Sequence, residues 1–286
     1  MLAAQNDREN ALSPVTSGQL QQLADGLREH SGFIEVLTSL QQGHGGTIGV
    51  TWGAASSLAV AGIASARDKE RQGLVVVVVP HAVDADMFAD DLTLFTSLAI
   101  DVLPAIESIG DPSTGHETQV NDPAEAQRLA TVKHLVDYSD ESPRILVTSM
   151  QAVLTPLADP RQIEESTRHL TLGAKVDPQE LAEWLSARGW QQVDTLDSPG
   201  SFARRGGIID LFASDWERPV RLELNDDEID SLRTFDTVSQ RSVRSLETID
   251  LTALQSLNKS NRRAWLTDVV PPSTWWSLVE PQELSD

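Results

Sequence analysis

The sequence contains no cysteine, and this absence removes several classes of function at once. Disulfides, cysteine-ligated zinc, thiol nucleophiles and iron–sulfur clusters all need cysteine and are excluded. A long apolar run is also missing, because the strongest one, GLVVVVVP at 73–80, is too short to cross a bilayer. The N-terminal segment has no basic stretch followed by an apolar core, so it is not a secretory signal. We therefore expect a soluble, cytoplasmic protein with no membrane partner.

Basic residues are scarce as well. The chain has 22 Lys and Arg against 43 Asp and Glu, which gives a formal net charge of −21. Because nucleic-acid affinity depends on cations that neutralise phosphates, this balance argues against the chain gripping DNA by itself. With 286 residues, 40% of them hydrophobic, the chain can bury a core and has the length of about two ordinary domains.

The residue types most often used in catalysis form no recognisable set. None of the six His residues lies at a metal-ligand spacing such as H-x-x-x-H or beside a nucleophile motif. Adjacent carboxylates such as Asp90-Asp91 occur, but they are expected on the solvated surface of so acidic a chain. We predict no catalytic and no metal-binding residues.

Strand and helix patterns alternate between residues 44 and 158, which predicts an α/β domain after an N-terminal helical segment at 1–43. Continuous apolar strands between helices indicate a parallel sheet that is covered on both faces. The predicted strands are 46–51, 74–80, 100–105 and 144–150, and the predicted helices are 56–72, 84–98 and 123–138. The interval 107–122 is predicted to be a loop from its composition.

The pattern changes after Pro160. Short alternating strands, tight turns and one helix capped by Asp177 predict a smaller α+β domain with antiparallel pairing at 160–237. The strand signal at 245–251 is predicted to return to the first sheet. The remaining segment, 252–286, is predicted to be a C-terminal tail, and its abrupt end suggests a fragment of a longer protein.

The stretch GVTWGAASS, which begins at Gly49, has the outline of a nucleotide-binding phosphate loop. In the pattern G-x-x-x-x-G-K-[ST], Gly49 and Ser56 fit the two ends, but the second Gly is Ala54 and the lysine is Ala55. Ala55 supplies no charge for terminal phosphates, and Ala54 places a side chain where the backbone must approach phosphate closely. We interpret the stretch as a degenerate loop of structural value and expect no bound cofactor.

Charged residues line two neighbouring predicted strands in the stretch 200–236. The segment PVRLEL alternates, so Arg221, Glu223 and Asn225 form an outward row. Arg204 and Arg205 lie on the preceding strand, before a Gly pair. Two interpretations remain open from the residues alone: an ordinary hydrophilic sheet face with internal ion pairs, or a directional, charge-assisted surface for a partner.

The segment FARRGGIIDLF…PVRLELNDDEIDSLRTFD…SQRS resembles the signature shared by the excision-repair protein UvrB and the bacterial transcription-repair coupling factors. Upstream blocks such as ILVTSMQAVL and HLTLGAKVDPQELAEWLSARGW extend the resemblance over 49–251. The sequence is closer to the coupling factors, whose UvrB-like module has lost the phosphate loop that UvrB keeps. UvrB also clamps DNA with a Tyr-rich hairpin, whereas the interval 106–121 has no aromatic residue and Tyr138 is the single Tyr of the chain.

This resemblance implies a fold and a partner. The fold would be a degenerate phosphate-loop domain with an inserted smaller domain, which docks onto UvrA, the damage-recognition ATPase. Matched residue by residue, the docking positions of the family are Arg205, Arg221 and Glu223. Asn225 departs from the family, which typically has an aromatic residue there, and Arg204 is an additional cation that would compensate.

The resemblance further implies that the full-length parent is an ATP-dependent DNA translocase that displaces stalled RNA polymerase. RNA polymerase, DNA, ATP and Mg²⁺ would engage domains outside these 286 residues, so we predict no cofactor and no enzymatic activity for this chain. The alternative is a UvrB-type nucleotide- or DNA-handling domain of an excision-repair enzyme, which would have to bind phosphate without a Lys at position 55.

Overall fold

The computed structural model describes residues 17–49, 51–70, 73–106, 123–138, 144–254 and 263–285. Its helices are α1 (Ser17–Leu27), α2 (Ser31–Gln41), α3 (Ala54–Glu70), α4 (Ala82–Phe95), α5 (Pro123–Val136), α6 (Met150–Val153), α7 (Pro160–Glu165), α8 (Pro178–Ser186) and α9 (Leu266–Val269). Its strands are β1 (Leu74–Val79), β2 (Ala99–Leu103), β3 (Arg144–Ser149), β4 (Leu157–Ala158), β5 (Thr167–Thr171), β6 (Gln191–Gln192), β7 (Ser201–Arg205), β8 (Ile208–Phe212), β9 (Val220–Asn225), β10 (Glu228–Phe235), β11 (Ser242–Leu246), β12 (Thr248–Thr252), β13 (Arg263–Ala264) and β14 (Trp275–Leu278). The predicted loop at 107–122 lies outside the described residues.

Parallel strands form the central sheet of the first lobe, in the order β14-β1-β3-β2. The central strand β1 is buried along its whole length, as its run of Val residues predicts. Its alternate side chains enter two different cores: Val75, Val77 and Val79 pack with α1, α3 and α4, and Leu74, Val76 and Val78 pack with α5, α7 and α9. The prediction of a parallel sheet covered on both faces is therefore confirmed.

Two predictions about the C-terminal part of the chain are wrong. The signal at 245–251 does not return to the parallel sheet, because β12 pairs antiparallel with β5 and β11 pairs antiparallel with β10. The predicted tail instead supplies β14, which pairs in parallel with β1 and places Trp275 opposite Val75. Trp275 is partly buried against the apolar side chains around α3, and this aromatic contact helps to hold the short segment on the sheet.

The strand predicted at 46–51 is also wrong for the residues described there, since 46–49 and 51 have no strand assignment. Gly46 and Gly49 lie within this segment, and Gly weakens a strand because it supplies no side chain to pack. The edge of the sheet beside β1 is occupied by β14 instead.

The second lobe is built on a largely antiparallel sheet in the order β11-β10-β9-β8-β7-β6, in which β6 and β7 pair in parallel. Helix α8 covers one face, with Leu181 and Leu185 fully buried against Phe202, Ile209 and Leu222. The helix begins where Asp177 accepts hydrogen bonds from the backbone N–H groups of its first turn, as the sequence predicts. The opposite face of the sheet carries the charged residues described below.

Polar contacts tie the first lobe together and join it to the second. Arg128 of α5 is 3% exposed and donates hydrogen bonds to the carbonyl oxygens of Pro104 at 2.7 Å and Thr155 at 2.9 Å. Burial lowers the pKa of Arg128 to about 10. Between the lobes, Lys133 Nζ lies 2.6 Å from Asp215 Oδ2. Within the described residues, no helix is long and apolar enough to cross a bilayer.

Candidate partner-binding surface

The strand register brings most of the sequence-predicted residues onto one face of the second sheet. Arg205 lies opposite Ile208, and Ile208 lies opposite Glu223, which gives one cross-strand row. In the neighbouring row Asp210 lies opposite Arg221. Residues that pair directly across strands point to the same side of a sheet. We call this side, which is not covered by α8, the outer face.

Arg221 is held firmly within the outer face. Its Nε and Nη2 atoms donate to the two carboxylate oxygens of Asp210 at 2.7 and 2.9 Å, and Nη2 also donates to Gln240 at 3.1 Å. The guanidinium stacks 4.6 Å from the centroid of the buried Phe235 ring. The hydrogen bond to Asp210 raises the pKa of Arg221 above its ordinary value. The guanidinium therefore cannot rotate freely, and its position on the face is well defined.

Glu223 accepts two hydrogen bonds on the same face. Its Oε2 atom accepts from Ser231 Oγ at 2.8 Å and from Arg233 Nη2 at 2.9 Å. The side chains of Glu223 and Arg233 remain 31% and 38% exposed. Both side chains are therefore accessible enough to form hydrogen bonds with a partner protein.

The two neighbouring arginines lie on opposite sides of the sheet. Arg205 is exposed on the outer face, and its guanidinium donates to the backbone oxygen of Asp194 and to Thr195 Oγ1. Arg204 lies opposite Ile209 on the other side, where its Nη1 atom donates to Gln179 of α8 at 2.8 Å. The prediction that Arg204 adds a charge beside Arg205 is wrong in its geometry, because successive side chains of a strand alternate between faces.

The Gly pair after Arg205 allows the turn that connects β7 to β8. Gly206 has a φ of +60°, in the left-handed region that favours Gly. A Cβ on Gly207 would lie 2.9 Å from the backbone oxygen of Leu224, whose N–H donates to Gly207 at 2.7 Å. Asn225 is exposed at the end of β9, beside a turn in which Asp226 has a φ of +57°. Asn225 therefore lies at the rim of the outer face.

Ile208 belongs to the outer face although the sequence analysis did not single it out. It is 38% exposed between Arg205 and Glu223, whereas Ile209 is buried on the other side. The signal was present in the alternation of GGIIDLF, since only every second apolar residue of that strand can enter the core. The outer face thus offers an apolar side chain flanked by a cation and an anion, an arrangement suited to docking a protein.

The stretch that the sequence analysis interprets as a degenerate phosphate loop lies in the first lobe, far along the chain from this face. Gly49 is exposed, Gly53 has a φ of +53°, and Ala54 and Ala55 begin α3 with exposed side chains, while Ser56 is buried. The backbone N–H groups of residues 55 and 56 donate to the carbonyl oxygens of residues 52 and 53 at 3.2 and 2.9 Å. These N–H groups are therefore already engaged within the turn.

A cavity of about 280 Å³ adjoins this turn at the carboxyl ends of β1 and β14. Its described lining contains the carboxylates Asp84, Asp91 and Glu280 and no Lys or Arg. Such a lining disfavours a phosphate, which is bound by cations and free N–H groups. Neither here nor elsewhere in the described ranges do three His, Asp or Glu side chains converge as metal ligands would.

The comparisons with known proteins agree with this geometry. Residues 169–256 match the family model of the UvrB interaction domain, and this match contains β6 to β12 and the whole outer face. The chain therefore carries an interaction module of the UvrB type.

The relatives are of two kinds. Over 190 residues the chain is 32% identical to the transcription-repair-coupling factor of Bacillus subtilis, covering 65% of this chain and 15% of that protein. It is 28% identical over 205 residues to the transcription-repair-coupling factor of Escherichia coli, covering 71% of this chain and 17% of that protein. The UvrABC system protein B of Pseudomonas aeruginosa is 29% identical over 131 residues, 46% of this chain and 19% of that protein.

These matches place the chain among the UvrB-like modules related to the transcription-repair-coupling factors. It spans 15% to 19% of the length of these relatives.

Proposed function

We propose that this chain is the UvrA-recruiting module of a transcription-repair coupling factor and that the outer face of the second lobe is its docking surface. The observation that carries the proposal is the coincidence of two independent features. The UvrB interaction domain match at 169–256 contains the sheet whose outer face exposes Arg205, Ile208 and Glu223. An interaction domain needs such a surface, and the other face of this sheet is covered by α8.

Each residue of the surface has a defined task in this proposal. Arg205 offers an exposed guanidinium to a carboxylate of UvrA, and Ile208 supplies the apolar anchor. Arg221 contributes through its fixed geometry, since Asp210 and Phe235 hold it in place. Glu223 selects a cation on the partner. Asn225 contributes only a polar contact at the rim, where the family typically has an aromatic residue.

The first lobe acts as a scaffold without nucleotide in this proposal. The support is Ala55 in the place of the phosphate-loop Lys, together with the carboxylates that line the adjacent cavity. A full-length parent would supply ATP hydrolysis, DNA translocation and contact with RNA polymerase through its other domains. The chain itself would act by recruitment in transcription-coupled nucleotide-excision repair.

A titration with purified UvrA tests the surface, with two adjacent arginines as a matched pair. Arg205→Ala should weaken binding by about 2 kcal/mol, or about 30-fold, because an exposed interface Arg is lost. Arg204→Ala should change the affinity less than about threefold, because that side chain bonds to α8 on the opposite face. Ile208→Asn should weaken binding without unfolding, since its side chain is already part-exposed.

The outcomes are distinguishable. If Arg204→Ala and Arg205→Ala lose the same amount of UvrA affinity, the effect comes from the net charge of the chain and not from a contact on the outer face. Wild-type affinity in the double variant Arg205→Ala/Ile208→Asn would reject the surface, even if UvrA bound the chain elsewhere. Circular dichroism of each variant verifies that the fold is retained.

A further inference from the structure

Helix α4 has a second apolar side that no described part of the chain covers. Its inner side packs into the first lobe through Phe88, Leu92 and other buried residues. On the opposite side, Val83 is 77% exposed, Met87 is 67% exposed and Leu94 is 40% exposed. At 100° per residue these three side chains fall on one line along the helix. We call Val83, Met87 and Leu94 the outer stripe.

Carboxylates flank the outer stripe on both sides. Asp84 and Asp91 lie toward one side of the helix, and Asp86 and Asp90 lie toward the other, by the same helical geometry. The helix has no basic residue in its sequence, AVDADMFADDLTLF. An exposed surface helix ordinarily carries polar residues where this one carries a line of apolar side chains. The apolar line therefore has the features of a contact surface, and the carboxylates on its borders set the charge that a partner would meet.

The cavity of about 280 Å³ described above borders the outer stripe at Met87. Met87, Val79 and Phe88 form part of its apolar wall, and Asp84, Asp91 and Glu280 supply the carboxylates. This combination suits a side chain with a long aliphatic stem and a cationic end, which is the chemistry of Lys or Arg. Trp52, the sequence neighbour of the cavity-lining Gly53, is itself 74% exposed.

We propose that the outer stripe and this cavity bind a basic amphipathic helix of a partner protein. The apolar side of that helix would cover Val83, Met87 and Leu94, and one of its Lys or Arg side chains would enter the cavity. Charge complementarity specifies the partner, because an acidic border on both sides of an apolar line repels any segment of like charge. This surface belongs to the first lobe and is independent of the proposed UvrA surface.

None of the described helices has the charge that the occupant requires. Among the described helices, α3 and α5 carry two Lys or Arg residues each, and the others carry one or none. Both of these helices are already packed into the first lobe through their own apolar sides. No described helix of this chain is therefore available to cover the apolar stripe, and we assign that role to a partner.

Fluorescence anisotropy with three labelled synthetic peptides tests the proposal on the full 286-residue chain. The first peptide is a helix with Leu along one side and Lys on its borders, the second has the same composition in a scrambled order, and the third has Glu in place of Lys. We expect saturable binding of the first peptide alone. Added salt should weaken this binding, because part of the attraction is between exposed charges.

Chain variants then locate the binding site. Val83→Gln/Met87→Gln and Asp84→Asn/Asp91→Asn should each weaken binding on the order of tenfold. The control Leu172→Gln/Glu247→Gln, which changes an exposed Leu and an exposed carboxylate in the second lobe, should leave the affinity unchanged.

Three results would overturn the proposal. The first is a failure of the first peptide to bind, and the second is binding of the scrambled peptide with the same affinity as the first. The third is a loss of affinity in the control variant equal to that in the two site variants. Sedimentation of the free chain tests whether a second copy of the chain covers the stripe. A dimer that is abolished by Val83→Gln/Met87→Gln would show this, and it would refute a basic partner helix.

Discussion

The pair formed by Arg221 and Asp210 predicts a measurable coupling between the fold of the second lobe and its outer face. The change to examine is Arg221→Ala. It removes two hydrogen bonds of 2.7 and 2.9 Å to Asp210, one of 3.1 Å to Gln240, and the contact of the guanidinium with Phe235. It also leaves the Asp210 carboxylate without its cation, although the side chain of Asp210 is only 9% exposed.

The magnitude follows from this burial. Breaking a fully buried ion pair by removing one partner costs roughly 3–5 kcal/mol, and the 20% exposure of the Arg221 side chain reduces this to the lower end. Loss of the cation–π contact adds about 0.5–1 kcal/mol. We therefore expect Arg221→Ala to lower the free energy of unfolding of the second lobe by about 3 kcal/mol.

A double-mutant cycle separates the pair from its surroundings. Asp210→Ala alone should cost about 1–2 kcal/mol, because Arg221 keeps Gln240 and can turn toward water. The double variant no longer contains an unpaired buried carboxylate, so its cost should fall short of the sum of the single costs by about 1–3 kcal/mol. Urea unfolding followed by Trp fluorescence measures these values, since Trp184, Trp190 and Trp216 lie in this lobe.

Arg233→Ala is the matched control on the same face. Its side chain is 38% exposed and donates to Glu223 at 2.9 Å, so the change should cost less than about 1 kcal/mol. The reasoning is refuted if Arg221→Ala costs no more than Arg233→Ala, or if the two changes in the cycle are additive. If the prediction is confirmed, part of any loss of UvrA binding in Arg221→Ala comes from unfolded protein, and the measured affinity must be corrected for that fraction. Arg205→Ala needs no such correction.

Three further predictions concern the first lobe and a turn of the second. Calorimetry with Mg-ATP should give no saturable heat, and micromolar binding would revive the UvrB-type nucleotide-handling alternative. Arg128→Met should destabilise the first lobe by about 2–4 kcal/mol in thermal unfolding, because backbone carbonyls at Pro104 and Thr155 lose a buried donor; a loss below about 0.5 kcal/mol would contradict this. Hydrogen bonds from Ser239 lower the pKa of Asp236, so its contribution to stability is present above the ordinary Asp pKa and is lost as the pH falls through the lowered value. As the pH is lowered into the acid range, the urea midpoint of Asp236→Asn should therefore decrease less steeply than that of the wild type. An unchanged slope would exclude this contribution.

Local patterns in the sequence account for much of the fold. The run of Val in β1 has no polar interruption, so it could only be a strand buried on both faces, and the structure has it at the centre of the sheet. The helix after Asp177 began where a capping carboxylate and Pro178 predicted it. Ala55 in place of Lys is the basis for interpreting residues 49–56 as a degenerate phosphate loop, and this interpretation stays a prediction.

The long-range pairing of weak strands could not be derived in this way. The sequence analysis predicts a strand at 245–251 and none at 275–278, yet it is the second segment that joins the parallel sheet, because membership depends on where the chain returns in space. Local propensity holds no information about that return. Trp275 packs beside α3 and helps to hold the second segment there.

The same division applies to the candidate surface. The sequence by itself determined which residues of PVRLEL share a side, because the side-chain period of a strand is two. Only the tertiary structure decided which side is covered: α8 occupies the face of Arg204 and leaves Arg205, Ile208 and Glu223 on the other. The tertiary structure also decided that Arg221 contacts Asp210 and Phe235, because the three residues lie on different strands that the sheet brings side by side. Alternation follows from the covalent chain, whereas exposure and ion pairing follow from the packing of elements that are separated in sequence.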